Sequence, residues 1–143
     1  MLNKIKVTRK SGSEKFLLQG KEQNFTVFDF WRWSTSDLVI NITRGVLAEF
    51  IVAQALNAAD KFRIEWSPFD ILTPDGISVE VKSAAYRQSW PQDKPSTIQF
   101  NIKKTIPLDE KKGGYRGKPR RAAKVYVFAL LKEKENVNPL NLD

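Results

Sequence analysis

The stretch Pro68-Phe69-Asp70-Ile71-Leu72-Thr73-Pro74-Asp75-Gly76-Ile77-Ser78-Val79-Glu80-Val81-Lys82 decides how this chain is read. Thr73-Pro74-Asp75-Gly76 predicts a turn: proline suits the first central position of a type I turn, aspartate the second, and glycine the left-handed position that follows. The product is a three-residue hairpin loop with a bulge. That loop pairs Thr73 with Ile77, Leu72 with Ser78, Ile71 with Val79 and Asp70 with Glu80. Side chains alternate between faces along a strand, and directly opposed residues share a face. One face therefore collects Phe69, Ile71, Ile77, Val79 and Val81. The other carries Asp70, Glu80 and Lys82, with Ser78 and Leu72 beyond them. A two-residue loop would oppose Asp70 to Val79 and mix the faces, so the hydrophobic pattern selects the longer loop.

Two carboxylates opposed across a strand pair repel each other. A bound divalent cation would remove that penalty, and Lys82 would lie on the same face, close to any oxygen the cation held. A surface cluster in which Lys82 simply neutralises Asp70 and Glu80 accounts for the same three residues. A third carboxylate favours the cation. From Leu38 to Ala59 the pattern is helical, with Ser34, Thr35 and Ser36 as N-cap candidates and Asp37 suited to the first turn. Leu38, Ile42, Gly45, Glu49, Val52 or Ala53, and Leu56 fall on one stripe. Glu49 is embedded in Val46-Leu47-Ala48-Glu49-Phe50-Ile51-Val52-Ala53, where a solvated charge is out of place. A buried carboxylate needs a partner or a metal; an ion pair with Arg44 or Lys61 is the ordinary alternative. Gly45 in mid-helix suggests a close backbone approach.

Outward from these elements, residues 1–25 read as a strand or an irregular lead-in. Phe28, Phe30, Trp31 and Trp33 form an aromatic cluster expected to pack in the core around a helix start. Lys61 to Leu72 looks extended but for Pro68, Ile77 to Lys82 alternates as a strand, and Thr97 to Ile102 makes a short strand. Val125 to Leu131 reads as a buried strand. A long helix followed by strands indicates a mixed α/β domain. One domain over residues 1–143 is expected, with a core at about 36–131 and a basic loop at about 103–124.

Composition narrows the chemistry. The chain has 143 residues, 41% hydrophobic and 28% charged, which suits a folded domain and argues against general disorder. It has no histidine and no cysteine. Imidazole bases, thiol nucleophiles, disulfides, zinc fingers and iron–sulfur clusters are therefore excluded, and any metal must be held by oxygen. Magnesium, calcium or manganese fits that demand. No apolar run is long enough to span a membrane, and no signal-peptide pattern opens the sequence, so the cytoplasm is the expected compartment.

Lys and Arg number 24 against 16 Asp and Glu, a formal net charge of +8 that favours a polyanionic partner. The excess lies late. Residues 101–143 hold 11 basic and 5 acidic side chains, whereas residues 51–100 hold 5 and 6. Lys103, Lys104, Arg116, Lys118, Arg120 and Arg121 stand among glycines and prolines and read as a mobile basic loop, serving either solubility or phosphate contact. Gly117-Lys118-Pro119 lacks the glycine spacing of a phosphate-binding loop.

The helix glutamate, the aspartate entering a hairpin and the Glu-X-Lys on its second strand resemble the PD-(D/E)XK nuclease superfamily, the restriction-endonuclease-like fold. The matching residues are Glu49, Asp70 in Pro68-Phe69-Asp70, and Glu80-Val81-Lys82. Arg44-Gly45-Val46-Leu47-Ala48-Glu49-Phe50 and Glu80-Val81-Lys82-Ser83-Ala84-Ala85-Tyr86 are similar to small bacterial members of that group. The likeness covers residues 36–90 closely, with Val125 to Leu131 fitting a later core strand. Glu110-Lys111-Lys112 after Asp109 mimics the motif without strand alternation or a hairpin. The Gln-x-x-x-Tyr element of some exonuclease branches is missing after Lys82, and the helix expected between the third and fourth core strands has no clear place in residues 91–122.

What the resemblance implies is a mixed β-sheet flanked by helices and a metal-dependent, restriction-type endonuclease acting on DNA. Asp70, Glu80 and the Val81 carbonyl would hold Mg2+, or Mn2+ in its place, and Glu49 would support a second ion or a metal-bound water. Lys82 would orient or deprotonate the attacking water. Arg44, Gln88 and the basic loop residues Lys103, Lys104, Arg116, Lys118, Arg120 and Arg121 would hold the DNA backbone. A homodimer fits the habits of double-strand cutters of that fold. The alternatives are a non-catalytic nucleic-acid-binding module that keeps the fold, and a partner-binding protein whose Phe28–Trp33 cluster is an exposed interface.

Overall fold

The structure is a computed structural model that describes every residue except Met1, Asn3 and Glu110. The Glu110-Lys111-Lys112 mimic thus lies partly outside the described residues. The chain divides into two compact units, Met1–Asp37 and Leu38–Asp143. Both contain helix and strand, and the fold class is mixed α/β.

In the first unit β1 (Lys15–Leu18) pairs antiparallel with β2 (Lys21–Thr26). The connection is Gln19-Gly20, with φ of 50° and 78°, the left-handed pair that a two-residue hairpin loop demands. Helix α1 (Val27–Thr35) follows directly. Its N-cap is Thr26: the Thr26 Oγ1 accepts from the Asp29 N–H at 3.3 Å, and the Asp29 carboxylate accepts from the Thr26 N–H at 2.8 Å. The cap expected at Ser34, Thr35 or Ser36 for the long helix, with Asp37 in its first turn, does not form: that helix begins at Asn41, after Ile40, which offers no side-chain cap. Thr35 and Ser36 lie at the opposite end of α1, where their hydroxyls donate to the carbonyls of Trp31 and Arg32. Phe28, Phe30, Trp31 and Trp33 are exposed rather than buried, Trp33 at 86%. A hairpin and a two-turn helix offer too little volume to enclose four aromatic rings.

The second unit is built on α2 (Asn41–Ala55) and the sheet β3 (Ile71–Leu72), β4 (Ser78–Ala85) and β5 (Val125–Leu131), in the order β3-β4-β5. β3 and β4 are antiparallel and pair Ile71 with Val79 and Leu72 with Ser78, the register the turn chemistry calls for. Gly76, at φ 84°, supplies the left-handed position, and its N–H donates to the Thr73 carbonyl at 2.9 Å. β4 and β5 are parallel, with Glu80 beside Tyr126 and Lys82 beside Phe128. Ala48 and Ala53 of α2 pack with Ile71, Val79 and Val81, and Val79 is the most enclosed side chain. Alternation then turns Glu80 and Lys82 to the face away from α2.

Several expected boundaries shift. Helix α2 is shorter than 38–59 because Asn57 turns left-handed at φ 52° and the Ala58 N–H closes back on the Ala53 carbonyl at 2.8 Å. Its buried stripe runs through Arg44, Ala48 and Ala53: Ala53 lies where expected, Arg44 and Ala48 stand in for Gly45 and Glu49, and Ile42 is 82% exposed. Gly45 faces open space, so no close approach explains it. Residues 61–70 bend repeatedly instead of extending, and 97–102 form no strand. β5 keeps its expected limits but is an edge strand, with Val125, Phe128 and Leu130 exposed along it. The crossover from β4 to β5 carries no helix among its described residues. Among the described residues no helix is long and apolar enough to cross a membrane.

Candidate active site

The edge of the sheet where β3 gives out is the place to which the sequence pointed. Val79 and Val81 turn their backbone groups toward β3, since alternate residues of a strand share an edge. The Asp70 N–H donates to the Val79 carbonyl at 3.1 Å, and one step further along the ladder the Val81 N–H donates to the Asp70 Oδ2 at 2.7 Å. The Asp70 side chain thus occupies the ladder position that a longer β3 would fill. The Val81 carbonyl lies on the same edge.

Burial pushes the Asp70 carboxyl up to about 6, and the carboxylates of Glu49 and Glu80 push in the same direction. The Val81 N–H and the Lys82 ammonium oppose them without prevailing. Glu49 from α2 and Glu80 from β4 thus both raise the Asp70 carboxyl. Glu80 accepts from the Lys82 Nζ at 2.6 Å.

Glu49 has a partner that sequence reasoning missed. Its side chain is only 14% exposed, and both of its oxygens accept from Arg63, at 3.0 Å for the Nη2 bond. That hydrogen bonding holds the Arg63 guanidinium above its ordinary pKa, with help from the charges of Glu49, Asp70 and Glu65. Arg44 and Lys61, the partners weighed from sequence, do not take this role. Arg63 lies in the irregular segment between α2 and β3, where no periodicity signals which residue will face the helix.

Arg44 is 7% exposed. Its guanidinium donates to the Val39 carbonyl at 2.7 Å, the Asn41 Oδ1 at 2.8 Å, the Gln88 Oε1 at 3.0 Å and the Ser83 Oγ at 3.2 Å. Gln88 is tied in turn to the Ser96 Oγ at 3.1 Å. These two side chains clamp α2 to β4 and to the segment that follows it, and their polar groups are already engaged within the protein. Lys103, Lys104, Arg116, Lys118, Arg120 and Arg121 are all exposed. They lie on a segment folded back on itself through bridges between Thr105 and Arg120 and between Leu108 and Tyr115.

Metal fit can be judged from the donors. Among the described residues no three acidic side chains stand close enough to hold one ion. Magnesium keeps several waters and needs only one or two carboxylates plus substrate phosphate. Asp70 and Glu80 meet that demand, and a half-buried aspartate crowded by negative neighbours is a donor that a cation relieves.

Asp70, Glu80 and Lys82 thus stand together at the hairpin, and an exposed basic segment lies in the same unit. The chain is matched over residues 2–141 by the family model for bacteriophage T4 endonuclease IV, and it belongs to that family. The nuclease expectation stands at that level. No curated protein matches the chain, and no solved structure does.

Proposed function

We propose that this protein is a metal-dependent endonuclease that hydrolyses DNA phosphodiester bonds at the Asp70–Lys82 hairpin, on a core of the PD-(D/E)XK, restriction-endonuclease-like type. The observation that carries the reading is Asp70 itself, half-buried at the sheet edge, bonded to the Val81 N–H and crowded by Glu49 and Glu80. Membership of an endonuclease family supports the reaction class, and the basic segment supports a polyanionic substrate.

Asp70, Glu80 and the Val81 carbonyl would hold Mg2+, with Mn2+ as a substitute. When bound, such an ion neutralises charge on the phosphate oxygens and acidifies a water. Lys82 is held by Glu80 and directs its ammonium across the face on which Glu80 lies. There it orients the attacking water and takes part in moving its proton. Water adds its oxygen to phosphorus, one P–O ester bond breaks, and the departing oxygen takes up a proton. Exposed Lys103, Lys104, Arg116, Lys118, Arg120 and Arg121 bind phosphates on either side of the break, a role in positioning that carries no sequence information. Arg44 and Gln88, engaged internally, support the site instead of touching DNA.

The test is cleavage of supercoiled and of denatured DNA with Mg2+ by wild type, Asp70→Ala and Lys82→Ala. Wild type cuts and both variants do not. DNA binding that is indifferent to Mg2+ and to Asp70→Ala, with no cleavage of any DNA form, would instead assign a binding module.

A further inference from the structure

Each acidic group of the site other than Asp70 already carries an organic cation: Lys82 on Glu80 and Arg63 on Glu49. The two pairs differ in kind. Lys82 engages one oxygen of Glu80, whereas Arg63 spans both oxygens of Glu49 with its fork. A carboxylate forked at both oxygens keeps only its outer lone pairs for a metal or a metal-bound water, so the fork competes directly with a chelated ion. Glu49 is nearly covered, while the Arg63 side chain is 37% exposed. Arg63 is carried by an irregular segment instead of a helix or strand, so it can swing with little cost to the fold.

We propose that Arg63 is a latch on Glu49, opened by the entering divalent cation, and that the released guanidinium becomes a phosphate-binding group for the scissile phosphodiester. This rests on the reading of Asp70 and Glu80 as a metal site. A cation arriving beside Asp70 competes with Arg63 for the same local negative charge. Once displaced, the guanidinium needs another anion, and the DNA phosphate is the anion the reaction brings. Its planar fork suits two phosphate oxygens as it suits two carboxylate oxygens. Arg63 thereby keeps the acidic site balanced before metal and substrate arrive, and afterwards moves to the substrate.

The test uses the full chain and two readouts. Calorimetric titration of Mn2+ compares wild type, Asp70→Asn, Arg63→Gln, Arg63→Lys, Glu49→Gln and the double variant Arg63→Gln/Glu49→Gln. Removing a partly exposed competing pair should tighten Mn2+ binding by about fivefold in Arg63→Gln. Arg63→Lys, which keeps the charge and loses the fork, should fall between. The double variant should bind like Glu49→Gln. Affinity for a short DNA is then measured in a Lys82→Ala background, which leaves the DNA whole. With Mn2+ present, Arg63→Gln should weaken it by about tenfold, the scale of one charge-assisted hydrogen bond to phosphate. Without divalent ions the change should be much smaller.

Unchanged or weaker Mn2+ binding in Arg63→Gln overturns the latch. Equal tightening with and without Glu49 shows a general charge effect and overturns it too. Tighter Mn2+ binding with unaltered DNA affinity overturns transfer of the guanidinium to the phosphate. Mn2+ binding that survives Asp70→Asn defeats the underlying metal-site reading, separately from the latch.

Discussion

The hairpin around Asp70 and the segment from 103 to 124 both concentrate charge, yet they hold it in opposite ways. At the hairpin every charged group has a fixed partner: Asp70 on the Val81 N–H, Glu80 on Lys82, Glu49 on Arg63. Its backbone is regular ladder on one side and packed on α2 on the other. The later segment folds back through bridges between Thr105 and Arg120 and between Leu108 and Tyr115, and turns at Asp109 through left-handed Gly113 and Gly114, with φ of 68° and 79°. Its basic side chains reach into solvent. Bond cleavage needs groups held to a fraction of an ångström, whereas holding a polyphosphate needs charge density and tolerates variation. On the proposed reading, chemistry falls to the first region and affinity to the second.

The largest expected effect breaks the hairpin side of that contrast. Lys82→Ala should lower cleavage by roughly 10²–10⁴-fold, the scale of a positioned proton-transfer group, while Mn2+ binding measured by calorimetry is as tight as in wild type or tighter. Metal binding that weakens in Lys82→Ala as much as in Asp70→Asn would make the lysine structural.

Arg44 sharpens the comparison from beneath. Arg44→Ala leaves acceptors on Val39, Asn41, Ser83 and Gln88 without their donor, and should cost about 2 kcal/mol of stability in urea unfolding. Its effect on DNA affinity, measured where the variant is fully folded, should be slight. A variant with native stability and weak DNA binding would return Arg44 to the DNA-contact role.

A smaller effect follows pH. The folded protein keeps the Asp70 proton up to about pH 6, whereas the unfolded chain releases it near the ordinary value of 3.8. A raised carboxyl pKa means the folded state binds more protons between those values, so stability falls as pH rises through that window and levels off above it. Asp70→Asn should remove the fall, and its advantage in urea midpoint over wild type should grow from about pH 4 to about pH 6. A gap that stays constant with pH would contradict the burial of that carboxyl.

The smallest change is in salt dependence. Replacing Lys103, Lys104, Arg116 and Lys118 by Gln should reduce the slope of log affinity against log salt by roughly 0.7–0.9 for each phosphate that the variant no longer neutralises. An unchanged slope would mean that DNA is held elsewhere.

Much of the hairpin was legible because three independent signals agree there: the Pro-Asp-Gly turn, the alternation of Ile71, Val79 and Val81, and the grouping of Asp70, Glu80 and Lys82. The limits of β5 were legible from its apolar run, but its exposure was not, since edge or centre depends on sheet order and not on the strand itself. Arg44 looked like a DNA contact because a charged residue is ordinarily solvated; only the folded chain brings Ser83 and Gln88 to its guanidinium. Arg63 was hidden for a related reason, lying in a segment without periodicity. The Thr26–Asp29 cap was readable in principle from its Thr-x-x-Asp spacing. The hydroxyls at Ser34–Ser36, read as the cap of the long helix, lie too far ahead of its start at Asn41.

The most direct test of the division between chemistry and affinity is single-turnover DNA cleavage with Mg2+ at protein concentrations high enough to saturate the DNA. The four-residue Gln variant of the basic segment should then recover a rate within about threefold of wild type, because binding no longer limits it. Asp70→Asn should stay at least about 100-fold slower at any concentration. Wild-type cleavage by Asp70→Asn, or a saturated rate in the basic-segment variant as low as that of Asp70→Asn, would contradict the account.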